Sequence, residues 1–212
     1  MVITHYGGEF FKVSVGDTTI AYNPISKDSA LKSTKSGADV ALLALNHPDF
    51  NGVEQVTHGG KAPFVIQGPG EYEVQKVVIR GLPSRSHYGG EDRINTIYLV
   101  TLENMELCFL GALGDAKLDP SVLEAIDVID ILFTPIGGNG VLTPSEAHEL
   151  SVRLEPKVVI PMHYGDIVGK SDESLKTFLK EEGAEGVKPL EKFTVKKKDL
   201  EGKSGEVVVL AS

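Results

Sequence analysis

The stretch Ala38-Asp39-Val40-Ala41-Leu42-Leu43-Ala44-Leu45-Asn46-His47-Pro48-Asp49-Phe50-Asn51-Gly52 decides how this chain is read. Residues 38–45 form a short, nearly continuous apolar run, the signature of a strand covered on both faces. Chemistry-bearing side chains then appear at its end, His47 and Asp49. A second stretch repeats the plan: Val158-Val159-Ile160-Pro161-Met162-His163-Tyr164-Gly165 is an apolar run that delivers His163 at a strand end. A sheet whose strand ends carry polar groups on loops is an ordinary way to build a site.

Outward from these segments, the first half reads as short strands broken by turns. Glu9 to Val15 and Thr18 to Tyr22 flank Gly16-Asp17, and Pro63 to Gln67, Val74 to Arg80, Arg93 to Thr101 and Glu106 to Leu110 follow, with turn signals at Gly68-Pro69-Gly70 and Glu103-Asn104. After residue 115 strands alternate with helices. Pro120 to Ile126 reads as a short helix and Asp130 to Pro135 as a strand. Thr143-Pro144-Ser145-Glu146 opens a helix with a capping hydroxyl, a proline at the first position and a glutamate three residues on. Lys157 to Pro161 is a strand, Asp172 to Glu182 a helix with Leu175, Phe178 and Leu179 on one face, and the tail supplies two last strands. No linker or repeat divides the chain, so residues 1–212 are expected to form a single domain.

Composition narrows the class. With 41% hydrophobic and 24% charged residues the chain has the balance of a soluble globular protein, and no apolar run approaches a membrane span. Met1-Val2-Ile3-Thr4-His5 lacks the basic start and apolar stretch of an export signal, which sets the expectation of a cytoplasmic protein. Cys108 is the only cysteine, which excludes an intrachain disulfide and a thiolate-rich zinc site, and its apolar surroundings predict burial. The formal net charge of -9 argues mildly against nucleic acid as a partner, and the one dense basic run, Lys196-Lys197-Lys198, reads as a solvated turn. Self-association into a homo-oligomer is compatible with the sequence, which identifies no interface.

The two strand-end histidine segments, with Ile136-Gly137-Gly138 and an opening hairpin closed by Asn23-Pro24, resemble the metallo-β-lactamase superfamily over most of the chain, and within it the branch of ascorbate-phosphate lactonase-like zinc hydrolases. The resemblance implies an α/β fold, a four-layered αββα sandwich of the metallo-β-lactamase type, with metals at one edge of two packed sheets. It also implies a His-x-His-x-Asp-His signature at the end of the buried strand that runs to Leu45. Here Leu45 stands at the first histidine, His47 at the second, Asp49 at the aspartate and Phe50 at the last histidine. His87, in Ser84-Arg85-Ser86-His87-Tyr88-Gly89-Gly90, is the best match to a further family histidine, and His163 matches the last. Ala112 stands where the family places its metal-bridging aspartate, and Asn23 where it usually has an aspartate.

Hydrolysis in such a family needs a metal to activate water and polarise the scissile group, with two ions ~4 Å apart sharing the hydroxide. Two readings follow. In one, His47, Asp49, His87 and His163 hold a single zinc, manganese or iron ion, Asp49 doubles as the catalytic residue, and the substrate is a phosphodiester, a lactone or a phosphorylated sugar. In the other, a degenerate metal site leaves a metal-free pseudoenzyme acting as a binding or assembly module, with Leu45 and Phe50 filling the space of departed metals. Three lost ligands are harder to tolerate than one, which favours the second. Asp115 is read as a loop cap rather than a substitute ligand. His5, His58 and His148 are read as exposed or locally bonded, and the glycine-rich pieces at 68–70 and 137–140 as turns or cleft linings that lack the lysine of a phosphate-binding loop. No nucleophile-elbow signature is present.

Overall fold

Three short strands of alternating character pair in sequence order at the start of the chain: β1 (Val2–His5), β2 (Phe11–Val15) and β3 (Thr18–Tyr22). Ile3 lies opposite Val13 and Val13 opposite Ile20, so the three buried side chains share one face. The computed structural model describes residues 1–169 and 172–212. The decisive run forms β4 (Val40–Leu43), buried throughout, which adds parallel to β3 and is followed by β5 (Phe64–Gln67). With β12 (Phe193–Thr194) on the far edge, the sheet has the order β12-β1-β2-β3-β4-β5.

The second sheet begins with the antiparallel strands β6 (Gly70–Val74), β7 (Val77–Ser86), β8 (Arg93–Leu102) and β9 (Met105–Phe109). It continues in parallel through β10 (Ile131–Pro135), β11 (Val158–Met162) and β13 (Glu206–Val207). The crossovers carry α2 (Pro120–Ala125) and α3 (Pro144–Leu154), and α4 (Ser174–Glu181) follows β11. The expected start of α3 is observed: the Thr143 hydroxyl and the Glu146 side chain complete both halves of a capping box.

Phe11, Tyr22, Leu42, Tyr98, Phe109, Phe133 and Ile160 fill the space between the sheets. Val122, Leu150 and Phe178 from the three later helices cover the outer face of the second sheet, and Val56 of α1 (Val53–Val56) packs on Ala21 and Ala41 outside the first. The layers therefore run helix, sheet, sheet, helix, the αββα order that the family resemblance implied.

Three details depart from the sequence reading. Residues 70–74 form their own strand, hairpinned onto β7 through Gln75 and Lys76, whose φ values of 51° and 67° are those of a turn that asparagine and glycine normally signal. The four-residue α1 is too short to show a helical period. The basic run near the end is not simply solvated, because Lys197 Nζ lies 2.6 Å from Asp130 Oδ2 while Lys157 Nζ lies 2.7 Å from Oδ1. Among the described residues, no helix is long and apolar enough to cross a membrane.

Burial alone would raise the Asp130 carboxyl, but Lys157, Lys197 and the Glu106 N–H outweigh it and hold the group below the usual carboxylate range. A depressed folded-state pKa adds stability above the unfolded value and loses it as pH falls through the folded value. Urea midpoints should therefore drop below about pH 4, and Asp130→Asn should flatten that part of the profile. An unchanged profile would remove Asp130 from the acid response.

Tyr22 offers a second test, since its fully buried hydroxyl has no hydrogen-bond partner among the described residues. Its ring packs against Phe109 and Phe133, so Tyr22→Phe keeps the packing and deletes the orphan. The variant should be more stable by about 1–2 kcal/mol in urea denaturation. A loss of stability would mean that the hydroxyl has a partner.

Candidate functional site

The chain leaves β4 in a tight turn, with the Phe50 N–H donating to the His47 carbonyl at 2.8 Å. That turn brings the Asp49 backbone N–H within 3.2 Å of His47 Nδ1, so this nitrogen accepts. The Asp49 carboxylate is nearly buried and occupied on both sides. Ser29 donates its hydroxyl to Oδ1, and Tyr88 donates to Oδ2 at 2.6 Å. His47 Nδ1 is 3.4 Å from the same Oδ2. Burial, followed by the hydrogen bond and charge of Asp49, pushes the Tyr88 phenol well above its ordinary range, so Tyr88 remains a donor.

At the end of β11, His163 adopts a left-handed backbone with φ 59°. Gly137 fits beneath it only because it lacks a side chain: a Cβ there would stand 2.2 Å from the His163 carbonyl oxygen. His163 Nδ1 lies 2.6 Å from Glu9 Oε1, and Asn23 Nδ2 donates to Glu9 Oε2 at 2.6 Å. Asn23 Oδ1 in turn accepts the Ala44 N–H at 2.7 Å. Glu9 and Asn23 are fully buried and His163 nearly so. Asn23 has φ 43°, a conformation asparagine tolerates better than most residues. This chain of bonds ties the β1–β2 loop and the ends of β3, β4 and β11 into one edge of the sandwich.

The structure thus joins His47 to Asp49 but does not gather them with the other candidates into a group able to hold a metal ion, among the described residues. Tyr88 stands edge-on to His47 and to His163, with ring centroids 5.0 Å from each. Phe50 lies 5.9 Å from His47 and 6.0 Å from His163 on the same measure. His87, at the mouth, turns its Nδ1 to Asp92 Oδ1 at 2.6 Å, and its side chain is 49% exposed. Among the described residues, no three histidine, cysteine, aspartate or glutamate side chains come close enough to hold a metal ion.

The three positions at which the family resemblance implied missing ligands converge in space. Leu45, Phe50 and Ala112 form one buried cluster with Val141, and Tyr88 packs against it. A divalent ion placed there would lose its water to apolar surface without gaining donors. Leu45, Phe50, Ala112 and Val141 carry no side-chain donor for a metal ion.

Of the remaining candidates, Asp115 caps its loop by accepting the Lys117 N–H at 2.7 Å. Cys108 is buried, which pushes its thiol up to about 12. His58 is exposed in its turn, and His148 bonds Glu182 of the α4 end at 3.1 Å. His5 is a correction: it is buried, stacked on Phe11 and bonded to the distant Leu210 carbonyl as well as to that of Gly8, because the last residues fold back over β1.

Sequence reasoning missed Glu9, Ser29 and Tyr88. The available signals were an acidic residue opening an apolar run after Gly7-Gly8 and a tyrosine adjoining His87. Ser29 carried none.

Comparison with known proteins agrees with this architecture. The family described as beta-lactamase superfamily domain matches residues 2–163. A UPF0173 metal-dependent hydrolase of Listeria monocytogenes is 25% identical over 195 residues, covering 77% of this chain and 85% of its own length. A Thermotoga maritima structure described as a candidate Zn-dependent hydrolase of the metallo-β-lactamase superfamily superposes with a TM-score of 0.77 at 29% identity, covering 99% of this chain and 97% of that one. A structure from Parabacteroides distasonis shares the fold at 18% identity, with a TM-score of 0.67 over 98% of this chain and 91% of its own.

Proposed function

The chain belongs to the beta-lactamase superfamily domain family, and we propose that within it this is a member with a degenerate metal site, working without a resident metal as a binding or assembly module. The observation that carries the reading is the buried cluster of Leu45, Phe50, Ala112 and Val141 at the site edge. Its companions point the same way. Both Asp49 oxygens are taken by hydroxyls and His163 is committed to Glu9. Such a module is expected in the cytoplasm.

A second reading is favoured by the relatives named metal-dependent hydrolases. A single zinc, manganese or iron ion would be held by His47, Asp49, His87 and His163, with a phosphodiester, lactone or phosphorylated sugar as substrate. It requires His87 to leave Asp92, and Asp49 to shed Ser29 or Tyr88.

Thermal unfolding separates the two. A ligand that binds only the folded state raises apparent stability, by about 2.7 kcal/mol at a hundredfold excess over its dissociation constant. The melting temperature should therefore be the same, within about one degree, in EDTA and in excess zinc or manganese. A metal-induced rise of several degrees would favour the hydrolase reading.

A further inference from the structure

Beside the site, where β7 and β8 run past the loop that leads into α2, the surface opens into a cavity of about 660 Å³. That is within the range of small-molecule pockets, roughly 300–1,000 Å³. Its walls are largely apolar, with Pro83, Leu118 and Val122 lining it and Ile94 72% exposed at its rim. A large aliphatic side chain so open to water gains from being covered.

Three carboxylates line the cavity, each with one oxygen hydrogen-bonded: Asp92 to His87, Asp115 to the Lys117 N–H and Asp119 to the Ser121 hydroxyl. Three cations, Arg85, Arg93 and Lys117, stand beside them. Arg85 pairs directly with Ile94 across the two strands. Among the described residues, neither the Arg85 guanidinium nor the Lys117 ammonium forms an ion pair or a side-chain hydrogen bond, and the buried Arg93 Nε has no partner. The Nη atoms of Arg93 are held by Glu91 and by the carbonyl of Asn46, next to His47, which joins this cavity to the site loop.

We propose that this cavity is a binding site for a small amphipathic anion, a compound with an alkyl or aryl body and a phosphate or carboxylate head. The body lies along Ile94, Leu118 and Val122, and the head meets Arg85 and Lys117. Guanidinium suits such oxyanions because its planar fork donates two parallel hydrogen bonds. The groups that take the anion, Arg85, Lys117 and Ile94, are not candidate metal ligands, so the proposal stands or falls separately from the reading above.

Calorimetric titration with octyl phosphate and, separately, octanoate tests it, with EDTA present and probe concentrations below micelle formation. Octanol and octyltrimethylammonium serve as uncharged and cationic controls. At least one anion should saturate a single site with a Kd of about 1 mM or tighter, and the controls should bind at least tenfold more weakly. Arg85→Gln and Lys117→Gln should each weaken the anion about tenfold and Ile94→Ser several-fold. Arg85, Lys117 and Ile94 are exposed, and unaltered circular dichroism would confirm that their variants fold. Failure of both anions to saturate, equal binding of octanol, or undiminished affinity in the arginine and lysine variants would overturn the proposal. Which anion binds distinguishes a phosphate from a carboxylate ligand.

Discussion

Glu9→Ala is expected to destabilise the protein by about 3–5 kcal/mol, the cost of removing one member of a buried, hydrogen-bonded pair. The alanine would strand two donors in a region closed to water: His163 Nδ1 and Asn23 Nδ2 both lose their acceptor at 2.6 Å. The effect should appear as a lower urea midpoint with an unchanged slope, because the surface exposed on unfolding stays the same. Glu9→Gln should cost less, since one amide oxygen still accepts. His163→Ala combined with Glu9→Ala should cost less than the sum of the two single changes, because both break the same bond. A Glu9→Ala loss below about 1 kcal/mol would mean that water or a neighbour replaces the carboxyl, and the edge is not held as described.

Phe50→Ala is the second large effect, about 3–5 kcal/mol, as for other buried aromatic truncations. The ring is fully buried, packs with Leu45, Ala112 and Val141, and lies with its centroid 5.0 Å from that of Tyr88 in an edge-on arrangement. Deleting it leaves a cavity and frees Tyr88, whose hydroxyl holds Asp49. The same variant bears on function. If Phe50 has taken over a structural role, the loss should be identical with and without zinc. A variant stabilised by zinc where the parent is not would show that the ring was the barrier to a latent site.

The buried strands announced themselves because an apolar run such as Val40 to Leu43 admits few other readings, and the α3 start was legible because a capping box is written in four consecutive residues. The hairpin at Gln75-Lys76 was not, since its left-handed residues are types that ordinarily avoid that conformation. At the site, His47, Asp49 and His163 could be named because each follows a buried strand at close range. Glu9 could not be assigned to His163, 154 residues away, because only the packing of the two sheets brings them together. The substitutions at Leu45, Phe50 and Ala112 were visible one at a time, whereas their convergence into a single apolar cluster with Val141 is a property of the fold.

The most direct test is the metal content of the protein purified without chelator or nickel affinity resin, followed by calorimetric titration with zinc. Well under one ion per chain is expected, with no saturable heat at micromolar zinc, and His47→Ala and His163→Ala should give the same null titration. About one tightly bound zinc, manganese or iron ion per chain, lost in those two variants, would contradict the metal-free reading and return the protein to the hydrolases.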